Sequence, residues 1–140
     1  MLAGAALLNG CVAPAPTTSA YEGKATRTAQ DAGAQVQTAR LAAGAALADR
    51  MPQAYLETVL SQAEDGFGSI QDTFDSVQPP DDPTADQLRD TLDTLLTAGS
   101  DGLGQLRIAA RREDRAQVEA TVRSLGPVAA ALQRFAEEHA

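Results

Sequence analysis

The sequence predicts an all-α protein, an antiparallel up-down-up-down bundle of four helices. Two long stretches repeat apolar residues in steps of three and four, the spacing that places side chains on one face of a helix. The link between them, residues 78–83, is short and contains three prolines. Helices joined by so short a link run antiparallel with their apolar faces together.

The two stretches form the predicted hairpin. The apolar face of the first consists of Leu56, Leu60, Ala63, Phe67, Ile70, Phe74 and Val77, and that of the second consists of Leu88, Leu92, Leu95, Gly99, Gly102, Leu106 and Ala109. We expect one helix from about Pro52 to Val77 and the next from about Thr84 to Arg111, with Thr84 and Gln87 at the spacing of a capping box. The rest of the chain is expected to pack onto this hairpin.

Residues 99–104 are the weakest part of the second stretch, because they contain three glycines. Three glycines lower the helix propensity by about 3 kcal/mol relative to alanine. The leucine spacing resumes in phase after them at Leu103 and Leu106. We therefore favour a close approach of a neighbouring helix over a break.

A long helix of roughly 28 residues is predicted before the hairpin. Its apolar face consists mainly of alanine, as Tyr21, Ala25, Ala29, Ala32, Val36, Ala39, Ala43 and Leu47. Small side chains favour close packing. A three-helix bundle, with this alanine-rich segment disordered, is the alternative.

A fourth helix is predicted after Asp114, which can cap it together with Gln117. Its apolar face carries Val118, Val122, Leu125, Ala129, Leu132 and Ala136, with Val128 and Phe135 alongside. Pro127 lies in the middle of this segment and removes a backbone hydrogen bond. The apolar spacing continues past it, so the sequence predicts a kink near residues 123–127 and not two helices.

Composition narrows the classes of function. The chain has 140 residues, which suits one domain, and a net charge of −8, which disfavours nucleic acid as a partner. Its single cysteine, Cys11, excludes an internal disulfide and a multi-cysteine zinc site.

The N-terminus carries a short motif, Leu8-Asn9-Gly10-Cys11, after an apolar segment and before a run rich in Pro, Ala and Thr. The motif resembles the lipobox at the end of a bacterial lipoprotein signal peptide. The resemblance covers about a dozen residues. It implies that the thiol of Cys11 carries a diacylglyceryl group and that the chain is cleaved before this residue.

The resemblance gives the expected domain organisation. Residues 1–10 are the remnant of a signal peptide, residues 11–19 are the lipidated cysteine and a flexible tether, and residues 20–140 are the bundle. A complete signal peptide begins with Lys or Arg, and no such residue precedes Cys11. We therefore expect the true start of the protein to lie upstream. No apolar stretch is long enough to span a membrane. The expected location is the cell membrane or envelope, with the domain outside the cytoplasm and held by lipid.

No catalytic constellation is recognisable. The only histidine, His139, is next to the last residue, where a solvated terminal side chain is the simplest interpretation. Asp81, Asp82 and Asp86 are explained by the dipole of the third helix better than by a calcium loop. We expect no catalysis, no cofactor and no metal site.

The candidate binding residues are a cluster of arginines, Arg107, Arg111, Arg112 and Arg115, around the turn between the third and fourth helices. Favourable interaction with the helix dipole explains part of this cluster. In the predicted topology the turn lies at the end of the bundle farthest from Cys11. A basic surface there suits a protein partner or an acidic polymer of the cell wall.

These observations favour a lipid-anchored helical bundle that acts as a binding, scaffold or accessory protein. Two alternatives remain. One is a small-molecule binder with a ligand held between the helices, in a pocket lined by Leu92, Leu96, Leu103 and Val122. The other is a soluble cytoplasmic helical protein in which Cys11 keeps a free thiol.

Overall fold

The structure, a computed structural model, describes residues 17–140 and contains four helices in that range and no strand. The helices are α1 (Thr18–Leu47), α2 (Gln53–Asp75), α3 (Pro83–Arg111) and α4 (Arg115–Glu138). The all-α prediction and the number of helices are confirmed, and the three-helix alternative is wrong because the alanine-rich segment is helical. The lipobox and Cys11 lie outside the described residues. None of the four helices combines the length and the apolarity needed to cross a bilayer.

Side chains cap three of the helices at their N-termini. Thr17 Oγ1 accepts a hydrogen bond from the Ala20 N–H at 3.1 Å, so the bundle begins two residues before its predicted boundary at residue 20. Asp114 accepts from the Gln117 N–H at 3.0 Å, as predicted.

The capping box predicted at Thr84 is wrong. Helix α3 begins at Pro83, and its cap is the Asp82 carboxylate, which accepts from the Thr84 N–H at 3.0 Å. The Thr18 hydroxyl donates to the same carboxylate at 2.5 Å. The hydrogen bond from Thr18, which has the larger effect, and the one from Thr84 hold the pKa of Asp82 below its usual value. The aspartate therefore also joins the start of α1 to the start of α3.

The core is built around α1 and α3, each of which contacts the other three helices. The most extensive interface is between α1 and α4, and it exceeds the interface of the predicted α2–α3 hairpin. Helix α1 contacts both helices of that hairpin and α4 contacts α3, so the rest of the chain packs onto the hairpin as expected. The alanine face of α1 accounts for its large interface with α4, because small side chains let a neighbouring helix approach closely.

The predicted apolar faces are buried to a large extent. Every residue of the predicted α1 face is buried except Leu47, which is half-buried. Phe67 and Phe74 of α2 are also buried, with Phe67 only 1% exposed. Besides Leu47, five residues of the predicted apolar faces are only partly buried, namely Ile70, Val77, Leu95, Val122 and Val128.

The glycines of α3 permit close contact, as predicted. The helix continues through residues 99–104 without a break. A Cβ atom at Gly99 would lie 2.6 Å from Cζ of Phe67, and one at Gly102 would overlap the side chain of Leu125. Phe67 from α2 and Leu125 from α4 therefore occupy the space that these two glycines leave.

Helix α4 continues through Pro127 as a single helix. One turn earlier, Arg40 Nε of α1 donates to the carbonyl of Val122 at 3.2 Å. The same guanidinium lies against Gly126, where a Cβ atom would be 3.1 Å from Arg40 Nη2. Gly126 thus leaves room for an arginine that ties α1 to the proline-containing part of α4. The kink itself stays a prediction.

Tyr21 is the one described residue with a buried side-chain polar atom that has no hydrogen-bond partner within residues 17–140. The side chain is 0% exposed and its ring lies 5.6 Å from that of Phe74. Burial raises the pKa of its phenol.

Replacing Tyr21 by phenylalanine should raise the free energy of unfolding by about 1 kcal/mol, because it removes an unsatisfied buried hydroxyl and keeps the ring. Urea denaturation followed by circular dichroism measures the change. Tyr55→Phe is the control, since Tyr55 is 60% exposed and should show no effect. A loss of stability in Tyr21→Phe would mean that the hydroxyl has a partner.

Candidate functional site

The ends of all four helices meet around the two loops that follow α1 and α3. Gln53 Nε2 donates to the Ala110 carbonyl at 2.6 Å, which joins the start of α2 to the end of α3. Arg115 Nη2 donates to the Leu47 carbonyl, which joins the start of α4 to the end of α1. We call this region, residues 47–53 and 110–115, the tip.

Helices α1 and α3 end in the same way at the tip. Each has a residue with a positive φ just beyond its last turn, Asp49 with φ 56° and Glu113 with φ 54°. The following residue donates back across the last turn, from the Arg50 N–H at 2.8 Å and from the Asp114 N–H at 3.0 Å. This is the Schellman motif, in which glycine usually takes the left-handed position. Both acidic residues are therefore held in a strained conformation.

Glu113→Gly should raise the free energy of unfolding by about 1 kcal/mol, because glycine adopts a positive φ without the steric cost of a Cβ atom. The change also removes a negative charge from the C-terminal end of α3. Thermal denaturation measures the change in the free energy of unfolding. Glu138→Gly, at the last residue of a helix with no such strain, should not stabilise the protein. Equal effects of the two changes would contradict this interpretation.

Arg107 is engaged within the bundle. Its Nε donates to a carboxylate oxygen of Glu64 on α2, and its Nη2 lies 3.5 Å from the other oxygen. The hydrogen bond and the charge of Glu64 raise the pKa of Arg107. This predicted binding residue therefore holds α2 and α3 together, and its guanidinium is not free for a partner.

Arg115 joins the two loops of the tip. Besides its bond to Leu47, its Nη1 lies 3.6 Å from Oδ1 of Asp49. Both side chains of this ion pair are well exposed, so the pair itself contributes little stability. Arg115 can exchange Asp49 for a carboxylate of a partner at small cost.

Arg111 and Arg112 are exposed, and neither guanidinium group has a hydrogen-bond or ion-pair partner within residues 17–140. They lie on consecutive positions at the end of α3, so their side chains point in different directions from the helix axis. Of the four arginines predicted from the sequence, these two are the most available to a partner.

The tip encloses a pocket of about 270 Å³. Its lining residues are Ala46, Leu47, Gln53, Leu56, Ala110, Glu113, Arg115 and Val118. The floor is apolar and the rim carries the polar side chains. Because four helices contribute to it, the sequence periodicity of single helices did not predict this pocket.

The charge of the tip differs from that of the whole chain. Its two segments hold four arginines and three acidic residues, a net charge of +1 in a chain whose total is −8. The net charge of the tip therefore does not repel an acidic molecule, whereas that of the whole chain does.

His139 lies at the opposite end of α4 and is not merely solvated, so that interpretation is wrong. Its Nδ1 is 2.9 Å from Oε1 of Glu22, and its ring lies 4.5 Å from that of Phe135. Its carbonyl accepts from the Thr26 hydroxyl at 2.9 Å. These contacts fix the end of α4 against α1. No group of three or more metal-ligating side chains occurs within residues 17–140.

The pocket expected between the helices is not where it was predicted. Leu92, Leu96 and Leu103 are buried in the core, and Val122 packs partly buried against them. Phe67 and Leu125 fill the space left by the nearby glycines.

A larger groove of about 680 Å³ lies elsewhere, between α1 and α2. It is lined by Ala20, Gly23, Lys24, Arg27, Thr28, Asp31, Ser69, Ile70, Thr73, Phe74 and Val77. Sequence analysis missed it. Gly23 does not distinguish itself in the sequence, because α1 also contains Gly33 and Gly44.

Among the residues of the tip are four arginines, three carboxylates and one amide, beside an apolar pocket. Neither of its two segments, 47–53 and 110–115, contains a histidine or a cysteine. Comparison of the chain with protein-family models, with curated proteins and with solved structures found no match.

Proposed function

We propose that the protein is a lipid-anchored component of the cell envelope that binds a partner through its tip and carries out no reaction. In this proposal the four helices form an antiparallel up-down-up-down bundle. Lipid on Cys11 holds one end at the membrane, and the tip points away from it.

Contacts at the two ends support this topology. At the end opposite the tip, Tyr21 lies beside Phe74, and Glu22 lies beside His139. The start of α1 is thus near the end of α2 and the end of α4. At the tip, the start of α2 is near the end of α3, because Gln53 bonds to Ala110. The start of α4 is near the end of α1, because Arg115 bonds to Leu47.

The position of Cys11 relative to α1 supports the proposed orientation. Cys11 precedes the cap residue Thr17 by six residues, which is a short tether. Helix α1 has 30 residues and is therefore about 45 Å long, and its far end is at the tip. A bundle anchored at Cys11 would hold the tip well clear of the lipid head groups. The position of the tip at the far end of α1 from its N-terminus is the observation that carries the proposal.

The chemistry of the tip favours an acidic protein segment that also carries an apolar side chain. The arginines at positions 111, 112 and 115 supply charge-assisted hydrogen bonds to carboxylates. The adjacent pocket of about 270 Å³ is of the size that takes one side chain. An acidic wall polymer would use the arginines and leave the apolar pocket empty.

The test is cross-linking in intact cells followed by mass spectrometry, with the double variant Arg111→Ser/Arg112→Ser. Neither side chain has a partner within the bundle, so the fold should be unchanged. We expect the cross-linked partner to be lost in the double variant. The matched control is Arg134→Ser, because Arg134 is also exposed but lies in the C-terminal half of α4.

A partner retained at wild-type yield in the double variant would contradict the proposal. Loss of the partner in the double variant and in Arg134→Ser alike would indicate a general effect of charge. A third outcome is binding to isolated cell wall that requires these arginines but is unaffected when Ala46→Leu fills the pocket. That result would identify the partner as an acidic wall polymer and not a protein.

A further inference from the structure

The groove between α1 and α2 has features of a small-molecule site that is separate from the tip. Its volume of about 680 Å³ falls within the range of roughly 300–1,000 Å³ that is usual for such sites. The segment of α1 that lines it, from Ala20 to Asp31, spans about 17 Å. These dimensions suit an elongated ligand.

The floor of the groove is apolar. Phe74 is buried, whereas Ile70 and Val77 are only partly buried although they belong to the predicted core face of α2. Gly23 faces them from α1, and a Cβ atom at Gly23 would meet nothing within 4 Å. The groove therefore leaves apolar surface open that the neighbouring helix does not cover.

Polar donors lie along the α1 side of the groove. Lys24 and Arg27 are exposed, and neither side chain forms a hydrogen bond or an ion pair with any other residue in the range 17–140. The hydroxyl of Thr28 likewise makes no hydrogen bond there. Two cations without partners in a chain of net charge −8 are well placed to attract an anion.

The two kinds of surface lie on opposite sides of the groove. The charged residues of its lining, Lys24, Arg27 and Asp31, all belong to α1. Its large apolar residues, Ile70, Phe74 and Val77, all belong to the facing segment. A ligand in the groove therefore meets charged groups on one side and apolar surface on the other.

We propose that this groove binds a single-chain anionic amphiphile such as a fatty acid. The alkyl chain lies over Ile70, Phe74 and Val77, and the carboxylate accepts hydrogen bonds from Lys24, Arg27 and Thr28. Asp31, which lines the same side of the groove, disfavours a second negative charge, which selects a ligand with a single carboxylate. The inference does not depend on the anchor or on the tip.

The test measures binding of laurate by isothermal titration calorimetry to the full chain with Cys11→Ser, which removes the site of lipidation. Laurate is kept below the concentration at which it forms micelles. We expect saturable binding of one laurate per chain. An alkyl trimethylammonium ion of the same chain length, which reverses the head-group charge, should bind at least about tenfold more weakly.

Two variants locate the site. A Cβ atom at Gly23 would meet nothing within 4 Å, so the side chain of Gly23→Leu can extend into the groove, and we expect it to weaken laurate binding at least about tenfold. Gly44→Leu is the matched control on the same helix, because a Cβ atom there also meets nothing within 4 Å and Gly44 does not line the groove. Lys24→Glu/Arg27→Glu should weaken laurate binding and strengthen binding of the trimethylammonium ion.

Three kinds of result would overturn the proposal. The first is a failure of the binding test, either because laurate shows no saturable binding or because Gly23→Leu and Gly44→Leu bind it equally. The second is a dimer in sedimentation that only Gly23→Leu dissociates, which would assign the groove to a second copy of the chain. The third is laurate binding that tightens at least about tenfold when residues 1–10 are deleted, which would assign the groove to that segment.

Discussion

Replacing Phe67 by alanine should lower the free energy of unfolding by about 3–5 kcal/mol, the usual cost of removing a buried phenylalanine. The ring of Phe67 enters the space that Gly99 leaves on α3. Without the ring, no side chain on either helix can fill that space, so a cavity remains between α2 and α3. Urea denaturation followed by circular dichroism measures the loss.

Tyr55→Ala is the control for the same loss of an aromatic ring from α2. Because Tyr55 is mostly exposed, its removal should change the free energy of unfolding by no more than about 0.5 kcal/mol. Similar losses in the two variants would show that the ring of Phe67 is not packed between α2 and α3.

Gly99→Ala should destabilise the protein by about 1–3 kcal/mol although alanine is the better helix former. The added Cβ atom would lie 2.6 Å from Cζ and 2.9 Å from Cε2 of Phe67, so the ring or the helix must shift. Gly68→Ala is the matched control, since its Cβ atom would meet nothing within 4 Å. We expect this control to gain up to about 1 kcal/mol.

A double-mutant cycle identifies the cause. Phe67→Leu removes the far ring atoms that the new Cβ atom would meet. In that background Gly99→Ala should cost at least about 1 kcal/mol less than in the wild type. An unchanged cost would mean that the destabilisation arises from something other than contact with the ring.

The helices were predictable from the sequence because their signals are local. Apolar spacing located all four helices, and the phase of the leucines across residues 99–104 correctly indicated a continuous α3. The cap of α3 was not predictable in the same way, since Asp82 and Thr84 are both competent caps. The hydrogen bond from Thr18, which is distant in sequence, is a further constraint on Asp82.

The arrangement of the helices was harder to predict. The spacing of α2 and α3 gave no indication that α1 would form the most extensive interface, because alanine faces have a low apolar signal. The pairing of Arg107 with Glu64 depends on which residues of α2 and α3 face each other. Its neighbours Arg111 and Arg112 look the same in sequence and have no such partner within residues 17–140.

The two candidate sites differ in whether the sequence could indicate them. The arginines of the tip were identified by their clustering along the chain. The groove brings together residues 20–31 and 69–77, and neither segment indicates a site alone. Ile70 and Val77 have the spacing of core residues, yet they line the groove together with Gly23 of α1.

The most direct test of the central claim is the intact mass of the protein extracted with detergent from the membrane fraction of cells that express it from its own locus. We predict a chain that begins at Cys11 and carries several hundred daltons of added lipid. Cys11→Ser should abolish both the cleavage and the added mass. A wild-type protein found in the soluble fraction with an unmodified Cys11 would contradict the claim.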